Sequence, residues 1–334
     1  MSRLASEARE AAAGARQQIA TAAPILEELA RRLAHQPPRV VVTCARGSSD
    51  HAATYGKYVL ETTVGCVVAS VGPSVASLYQ HAPGLAGALV VAVSQSGRSP
   101  DLLALAETAQ RAGALVVGMV NDTASPLAER CELVLPLCAG EERAVAATKS
   151  CLLAGLAFVQ LAAAWTGEAY LHDAVAQLPD ALAAACELDW ATWLAPALAD
   201  ATSMYVLGRG IGLGAAFELA LKLKETCRLH AEGFSVAEVL HGPVALVRPG
   251  YPIIALGQDD ETAAATRVTL AHLGRLGAQV WSPLDATLPT RPAPPIVAPL
   301  CQLASAYVAL PALAAARGLD ADAPVHLSKV TETR

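Results

Sequence analysis

The stretch Val90-Val-Ala-Val-Ser94-Gln95-Ser96-Gly97-Arg98-Ser99-Pro100-Asp101 runs from an apolar, β-branched segment through a hydroxyl-rich loop into a helix start. Ser99 is a favourable N-cap residue, and Pro100 suits the first helical turn because the N–H it lacks would be unsatisfied there. A glycine-flexed loop at the carboxyl end of a strand presents serine hydroxyls and free helix N–H groups, which suit a phosphate dianion. A well-capped strand-to-helix turn needs the same residues, so this stretch alone supports both interpretations.

A second loop of the same kind follows an earlier strand. It reads Thr43-Cys44-Ala45-Arg46-Gly47-Ser48-Ser49-Asp50-His51. In open α/β sheets, ligands bind beyond the carboxyl ends of the strands, so two hydroxyl-rich loops at that edge can converge on one ligand. This convergence favours phosphate binding over a purely structural turn.

Short apolar segments alternate with helix-length sequence along the whole chain, which predicts parallel strands joined by crossover helices. In the first half they are Arg39–Thr43, Leu89–Ser94, Ala114–Val120 and Leu133–Leu137; in the second half they are Met204–Leu207, Pro252–Leu256, Gln279–Trp281 and Ile296–Pro299. The chain therefore looks like two copies of one α/β unit. We expect domains over residues 20–175 and 190–334, each a parallel sheet flanked by helices in a flavodoxin-like three-layer sandwich.

Composition excludes several classes of protein. With 334 residues, the usual size of about 100–200 residues per domain predicts two domains. The net charge is −6, and acidic and basic residues are interspersed, so the sequence shows no basic patch of the kind that binds nucleic acid. The apolar run Cys151 to Trp165 is shorter than the roughly 20 residues of a bilayer span, so we expect no membrane association. Eight scattered cysteines and a charged N-terminus without an export signal predict a cytoplasmic protein.

The second half lacks the serines of the first. Its corresponding loops are Gly208–Gly214 and Gly257–Glu261, and the latter places acids where a phosphate would sit. Leu213 stands where the dinucleotide fingerprint requires its third glycine. We therefore expect phosphate to bind only in the first domain.

A polar stripe follows on the next helix. Glu218, Lys222 and Glu225 fall at i, i+4 and i+7 of an otherwise apolar sequence, so they share one face that lines a cavity or meets solvent. Spacing alone favours the second possibility, an exposed face with an i,i+4 ion pair.

Further on, Ser235-Val-Ala-Glu238 predicts a capping box for a short helix that His241 closes. That histidine either complements the helix dipole or acts as a general acid/base.

These blocks together resemble the sugar isomerase (SIS) domain family, specifically the tandem-domain isomerase half of glucosamine-6-phosphate synthase. Ser94-Gln95-Ser96-Gly97 is similar to the family's phosphate loop, and Val145-Ala-Ala-Thr148-Lys149 to its sugar-contacting segment, with Ala147 in place of a serine. The terminal Leu327-Ser-Lys329-Val-Thr331 resembles its carboxyl-terminal lysine tail. The first loop departs from the family's Cys-Gly-Thr-Ser by appearing longer.

The resemblance implies a role for each matching residue. Glu225 would be the base that moves a proton between C1 and C2, His241 the ring-opening acid/base, and Lys329 the residue that closes over the open-chain sugar. Phosphate contacts would come from Ser49, Ser94, Gln95, Ser96 and Ser99, and sugar contacts from Gly47, Ser48, Val145, Ala147 and Lys222. No cofactor and no metal are expected. The family's histidine comes from the neighbouring subunit, which implies a homodimer with shared sites.

The implied ligand is a small-molecule sugar phosphate. The chain begins Met1-Ser2, without the N-terminal cysteine and the glutaminase domain of the synthase. It therefore resembles the stand-alone SIS-type glucosamine-6-phosphate deaminases, which convert glucosamine 6-phosphate and water to fructose 6-phosphate and ammonia. Two alternatives stay open: another phosphosugar isomerase or a fructosamine-6-phosphate deglycase, and a non-catalytic phosphosugar sensor.

Overall fold

The computed structural model describes residues 2–329, which divide into two compact units. The N-terminal unit comprises residues 13–142 and 149–176. The C-terminal unit comprises residues 2–12, 143–148 and 177–329. Each contains one sheet in which all paired strands are parallel. The predicted α/β class, with two parallel sheets flanked by helices, is confirmed.

The sheet of the N-terminal unit has five strands. They are β1 (Val41–Cys44), β2 (Val68–Ser70), β3 (Leu89–Ser94), β4 (Leu115–Val120) and β5 (Leu133–Pro136). The helices that accompany them are α1 (Arg3–His35), which begins in the other unit, α2 (Ser48–Thr63), α3 (Ser74–Ser77), α4 (Pro100–Arg111), α5 (Pro126–Glu129), α6 (Lys149–Thr166) and the first part of α7 (Ala169–Ala185).

The strand order of this sheet is β2-β1-β3-β4-β5, the flavodoxin-like arrangement. The order reverses between β1 and β3, and ligands of such sheets bind at the carboxyl ends of the strands on either side of that switch point. The two hydroxyl-rich loops follow these two strands. All six residues of β3 are buried, which requires helices on both faces of the sheet.

One strand of this sheet, β2, was not predicted, whereas segments were predicted for β1, β3, β4 and β5. Strand β2 has three residues, of which one is buried, one is partly buried and one is exposed. A strand this short at the sheet edge carries too little apolar sequence to register as a pattern.

The sheet of the C-terminal unit repeats the plan with four strands. They are β6 (Ser203–Gly208), β7 (His230–Ser235), β8 (Pro252–Ala255) and β9 (Gln279–Trp281), in the order β7-β6-β8-β9. The helices of this unit are the remainder of α7, α8 (Ala191–Leu198), α9 (Gly212–Cys227), α10 (Ala263–Arg275) and α11 (Ala298–Ala316), with 3₁₀ turns at Glu238–Leu240, Pro243–Leu246 and Pro283–Asp285.

Two predictions for this half are wrong. Ile296–Pro299 is not a strand: Ile296 lies in a turn, and Pro299 occupies the first turn of α11, where its missing N–H costs nothing. The predicted capping box at Ser235 is absent, because Ser235 ends strand β7 and its hydroxyl accepts from the N–H of Ala237 at 3.3 Å. A single 3₁₀ turn, Glu238–Leu240, replaces the expected helix.

Helices α6 and α11 are apolar over nearly their full length. By length and composition both could cross a membrane, yet 83% and 72% of these segments are buried within the protein. Core helices of water-soluble proteins pass the same test. The burial explains why α6 has no amphipathic pattern, since 15 of its 18 residues lie inside the fold.

Candidate functional site

The loop after β3 is held in one conformation by its own side chains. Ser94 is buried, and its hydroxyl oxygen accepts the N–H of Gly97 at 3.0 Å, which leaves the serine proton free to donate elsewhere. Gly97 has φ +63°, and a Cβ there would lie 2.0 Å from Ser125 Oγ. Only glycine fits this position, because the loop packs closely against Ser125. Gln95 and Ser96 in the same loop are partly exposed.

Ser99 takes the N-cap position of α4 without capping it. Its backbone is extended, as an N-cap requires, but its side chain makes no cap hydrogen bond. Pro100 follows at the helix start, as predicted. The helix does not use the hydroxyl of Ser99, so this hydroxyl is available to a ligand.

The loop after β1 reaches the same region of the sheet. Gly47 precedes α2 with φ +54°, and Ser48 and Ser49 are the first two helical residues. The side chain of Arg46 spans to the first turn of α4, where its Nε and Nη2 atoms lie 2.8 Å and 2.7 Å from Asp101 Oδ2. This ion pair joins the two loops, and it brings the predicted phosphate residues of both to one edge of one sheet.

The polar stripe of α9 is buried, so the expectation of an exposed face is wrong. Lys222 and Glu218 have side chains that are 1% and 0% exposed, and Glu225 is 21% exposed. The Lys222 ammonium lies 3.5 Å from Glu218 Oε1 and also contacts Glu225 Oε2. One buried cation therefore lies between two carboxylates, and only Glu225 is open to a ligand.

A tyrosine that the sequence analysis did not name completes this cluster. The side chain of Tyr307, on α11, is fully buried, and its hydroxyl donates to Glu218 Oε1 at 3.0 Å. Nothing in the local sequence of the apolar helix α11 pairs this residue with α9, because the contact spans 89 positions. The tyrosine fixes Glu218, which in turn fixes the lysine beside Glu225.

The remaining predicted catalytic residues lie apart from this cluster in the sequence. His241 is exposed and ends the 3₁₀ turn, where its N–H donates to the carbonyl of Glu238 at 2.9 Å. The following turn is anchored by the hydroxyl of Tyr205, which donates to the carbonyl of Pro243 at 2.7 Å.

Lys329 is partly buried and is the last described residue. The tail residues Val330 and Thr331 lie outside the described part of the chain.

The segment predicted to contact sugar belongs to the C-terminal unit. Residues 143–148 group with that unit, and the carboxylate of Glu7 on α1 accepts the N–H of Arg143 at 2.7 Å and that of Ala144 at 3.2 Å. Val145 and Ala147 are partly exposed within this segment. The segment is thus fixed in the same unit that carries Glu225.

The second switch point, between β6 and β8, is closed by protein atoms. The side chain of Gln258 is 2% exposed, and its Nε2 donates to the carbonyl of Arg209 at 3.0 Å and to Asp260 Oδ2 at 2.8 Å. Its Oε1 packs against Gly212, where an added Cβ would lie only 2.9 Å from this oxygen. A glutamine side chain therefore fills the second switch point, at the position where the first unit has its two hydroxyl-rich loops.

Residues 2–329 contain no group of three or more histidine, cysteine, aspartate or glutamate side chains that could hold a metal ion. The eight cysteines are all free thiols, and burial raises the pKa of Cys301 to about 12 and that of Cys186 to about 11. Thiols with such raised pKa values are poor nucleophiles and belong to the packed interior.

Comparison with known proteins agrees with this architecture. The SIS domain model matches residues 34–164 and 197–282. The isomerizing glutamine–fructose-6-phosphate aminotransferase of Aeropyrum pernix is 33% identical over 312 residues, which are 85% of this chain and 49% of that enzyme. The chain thus spans about half the length of the curated relatives it matches.

Two solved structures share the fold. A candidate phosphosugar isomerase from Silicibacter pomeroyi is 38% identical, with a TM-score of 0.91 over 96% of this chain and 100% of that one. The C-terminal domain of glucosamine-fructose-6-phosphate aminotransferase from Francisella tularensis is 22% identical, with a TM-score of 0.81 over 96% and 98% of the two chains. On the family match and the identity to these relatives, the chain belongs to the SIS domain family.

Proposed function

We propose that this protein is a phosphosugar isomerase that acts on an amino-sugar phosphate, converting glucosamine 6-phosphate and water to fructose 6-phosphate and ammonia. The buried cluster of Glu218, Lys222 and Glu225 is the observation that carries the proposal. A carboxylate held by a buried lysine and open on one side suits a base that must abstract a proton from carbon and return it. Its relatives are isomerizing enzymes, which agrees with that chemistry.

The phosphate of the substrate would be bound by the two loops of the N-terminal unit. Ser49, Ser94, Gln95, Ser96 and Ser99 supply hydroxyls, an amide and nearby helix N–H groups, in an arrangement that suits a dianion. The contacts to the sugar would come from Gly47, Ser48, Val145 and Ala147, which are exposed or partly exposed. Lys222 differs from these, since its buried ammonium orients Glu225.

In this mechanism His241 opens the pyranose ring by moving a proton between the ring oxygen and the C1 hydroxyl. Glu225 then removes the proton from C2 and delivers it to C1, while a proton passes from the amino nitrogen to the C1 oxygen, which turns the open-chain amino aldehyde into a C1 alcohol with an imine at C2. Water adds to the imine carbon and ammonia leaves, which gives the ketose. Only protons and water are exchanged, so the reaction as written needs no redox cofactor. Lys329 would close over the open-chain sugar.

The exposure of His241 suits a residue that a neighbouring subunit uses, so we propose a homodimer with shared sites. Eight free thiols, five of them buried, suit a reducing compartment, and we propose a cytoplasmic location. Both proposals can be tested without the substrate, by the molecular mass of the purified protein in solution and by fractionation of cells.

The test of the base is Glu225→Gln. It should lower kcat by roughly 10²–10⁴ and leave the affinity for fructose 6-phosphate unchanged, because the amide keeps the shape but cannot accept the proton. Glu261→Gln removes an exposed carboxylate outside the cluster and serves as the matched control. Normal turnover by the Glu225 variant would show that another group is the base.

Substrate profiling separates the alternatives. Turnover of glucose 6-phosphate or of a fructosamine 6-phosphate, without release of ammonia from glucosamine 6-phosphate, would indicate another isomerase or a deglycase. Tight binding of sugar phosphates without turnover of any would indicate a sensor.

A further inference from the structure

We infer that Arg46 is a positioning residue of the phosphate site: it cancels the charge of the buried Asp101 carboxylate and holds the β1–α2 loop against α4. The inference rests on the proposed phosphate-binding role of the two loops. It adds a residue outside the serine and glutamine contacts already named.

The geometry of the pair is specific. Asp101 is 0% exposed and is the second residue of α4, two positions after Ser99. Its Oδ1 accepts the N–H of Leu102 at 2.9 Å, and its Oδ2 accepts both Nε and Nη2 of Arg46. The arginine side chain is 47% exposed, so the cation remains hydrated while the carboxylate does not.

An unpaired carboxylate at this position would oppose anion binding. The start of α4 provides the positive end of the helix dipole, and the loop before it provides the serine hydroxyls that a phosphate would use. A buried negative charge in the same turn repels a dianion, and solvent screens it poorly. Arg46 offsets this charge, so that the helix dipole and the serine hydroxyls can act on a phosphate.

The same contact fixes the position of the serines. Arg46 immediately precedes Gly47, whose positive φ sets the direction of the chain into Ser48 and Ser49. Tying the arginine to Asp101 therefore holds those hydroxyls beside the Ser94–Ser99 loop. Two hydrogen bonds to one buried oxygen constrain the guanidinium more than a single exposed contact would.

The experiment measures the dissociation constant of fructose 6-phosphate by isothermal titration calorimetry, with unphosphorylated fructose as the reference ligand. Arg46→Gln should raise the dissociation constant about tenfold or more, since the buried carboxylate loses the cation that offsets its charge and the loop loses its tie to α4. The double variant Arg46→Gln/Asp101→Asn should recover most of that loss, and Arg46→Lys, which keeps the charge, should fall between wild type and Arg46→Gln.

Arg111→Gln is the matched control. Arg111 lies at the far end of α4 and pairs with Glu107 at 3.1 Å in an exposed i,i+4 contact, so its loss removes the same charge from the same helix without touching the loops. Its dissociation constant should equal that of the wild type. Circular dichroism of every variant checks that each is folded.

The outcomes separate the inference from the proposed function. Wild-type affinity in Arg46→Gln would refute the inference alone. A double variant as weak as Arg46→Gln would also refute it, because Arg46 would then be a direct phosphate ligand. If the wild type binds fructose 6-phosphate no better than fructose, the phosphate site itself is wrong and both proposals fail.

Discussion

Replacing Lys222 with methionine tests whether the buried cluster of α9 is held by charge. Lys222→Met keeps the length of the side chain but removes the cation that lies 3.5 Å from the fully buried Glu218 carboxylate. Removing one partner of a buried ion pair costs about 3–5 kcal/mol, because the remaining charge stays desolvated. The hydroxyl of Tyr307 still donates to Glu218, so we expect a value near the lower end of that range.

The assay is urea denaturation followed by circular dichroism and by tryptophan fluorescence, since the two units need not unfold together. Lys224→Met is the control: Lys224 lies on the same helix but is exposed, and its Nζ donates to the carbonyl of Ala231 at 2.9 Å. It should cost no more than about 1 kcal/mol.

A second variant separates charge from packing. Lys222→Met/Glu218→Gln removes both members of the buried pair, and it should recover most of the lost stability while turnover stays low, because Glu225 still lacks its lysine. If Lys222→Met were as stable as the Lys224 control, the cluster would not depend on the ion pair and this reasoning would be wrong.

Three further variants test separate parts of the structure. Gly97→Ala should abolish fructose 6-phosphate binding, because its Cβ would lie 2.0 Å from Ser125 Oγ; Gly113→Ala, also at positive φ but in open space, should lose only stability, by about 1–3 kcal/mol. Tyr205→Phe should loosen the turn after His241 and lower kcat without weakening fructose 6-phosphate binding, as initial rates and calorimetry would show. Burial works to raise the pKa of Asp322, but the N–H groups of Leu4 and Arg3 and the Ser2 hydroxyl outweigh it and lower that pKa. Asp322→Ala should therefore cost about 1 kcal/mol in urea at pH 7, and this difference should shrink as the pH falls below about 4.

The fold was predictable where strands are long and buried. The segments over β3, β4 and β8 are continuous apolar runs, and the structure confirms them within a residue or two at each end. Strand β7 was not predicted as a strand, because His230-Ala-Glu-Gly-Phe-Ser235 has Phe234 as its single large apolar residue. It pairs only with β6, at the edge of the sheet. Its pairing comes from the rest of the sheet rather than from local pattern.

The two loops and the polar stripe of the candidate site were recognisable in the sequence, but the contacts of their side chains were not. Hydroxyl spacing after β1 and β3 marked both loops, because parallel strands place their carboxyl ends together. The spacing of Glu218, Lys222 and Glu225 could not tell a solvated face from a buried one, since that depends on α11 packing over α9. Likewise, Arg46 and Asp101 are 55 residues apart, and their ion pair follows only from the neighbouring positions of β1 and β3 in the sheet.

The most direct test of the proposed function is to incubate the purified protein with glucosamine 6-phosphate and to follow fructose 6-phosphate and ammonia together. We expect the two products to appear in equal amounts, and we expect Glu225→Gln to stop both. Absence of ammonia while glucosamine 6-phosphate binds tightly would contradict the proposed deaminase activity.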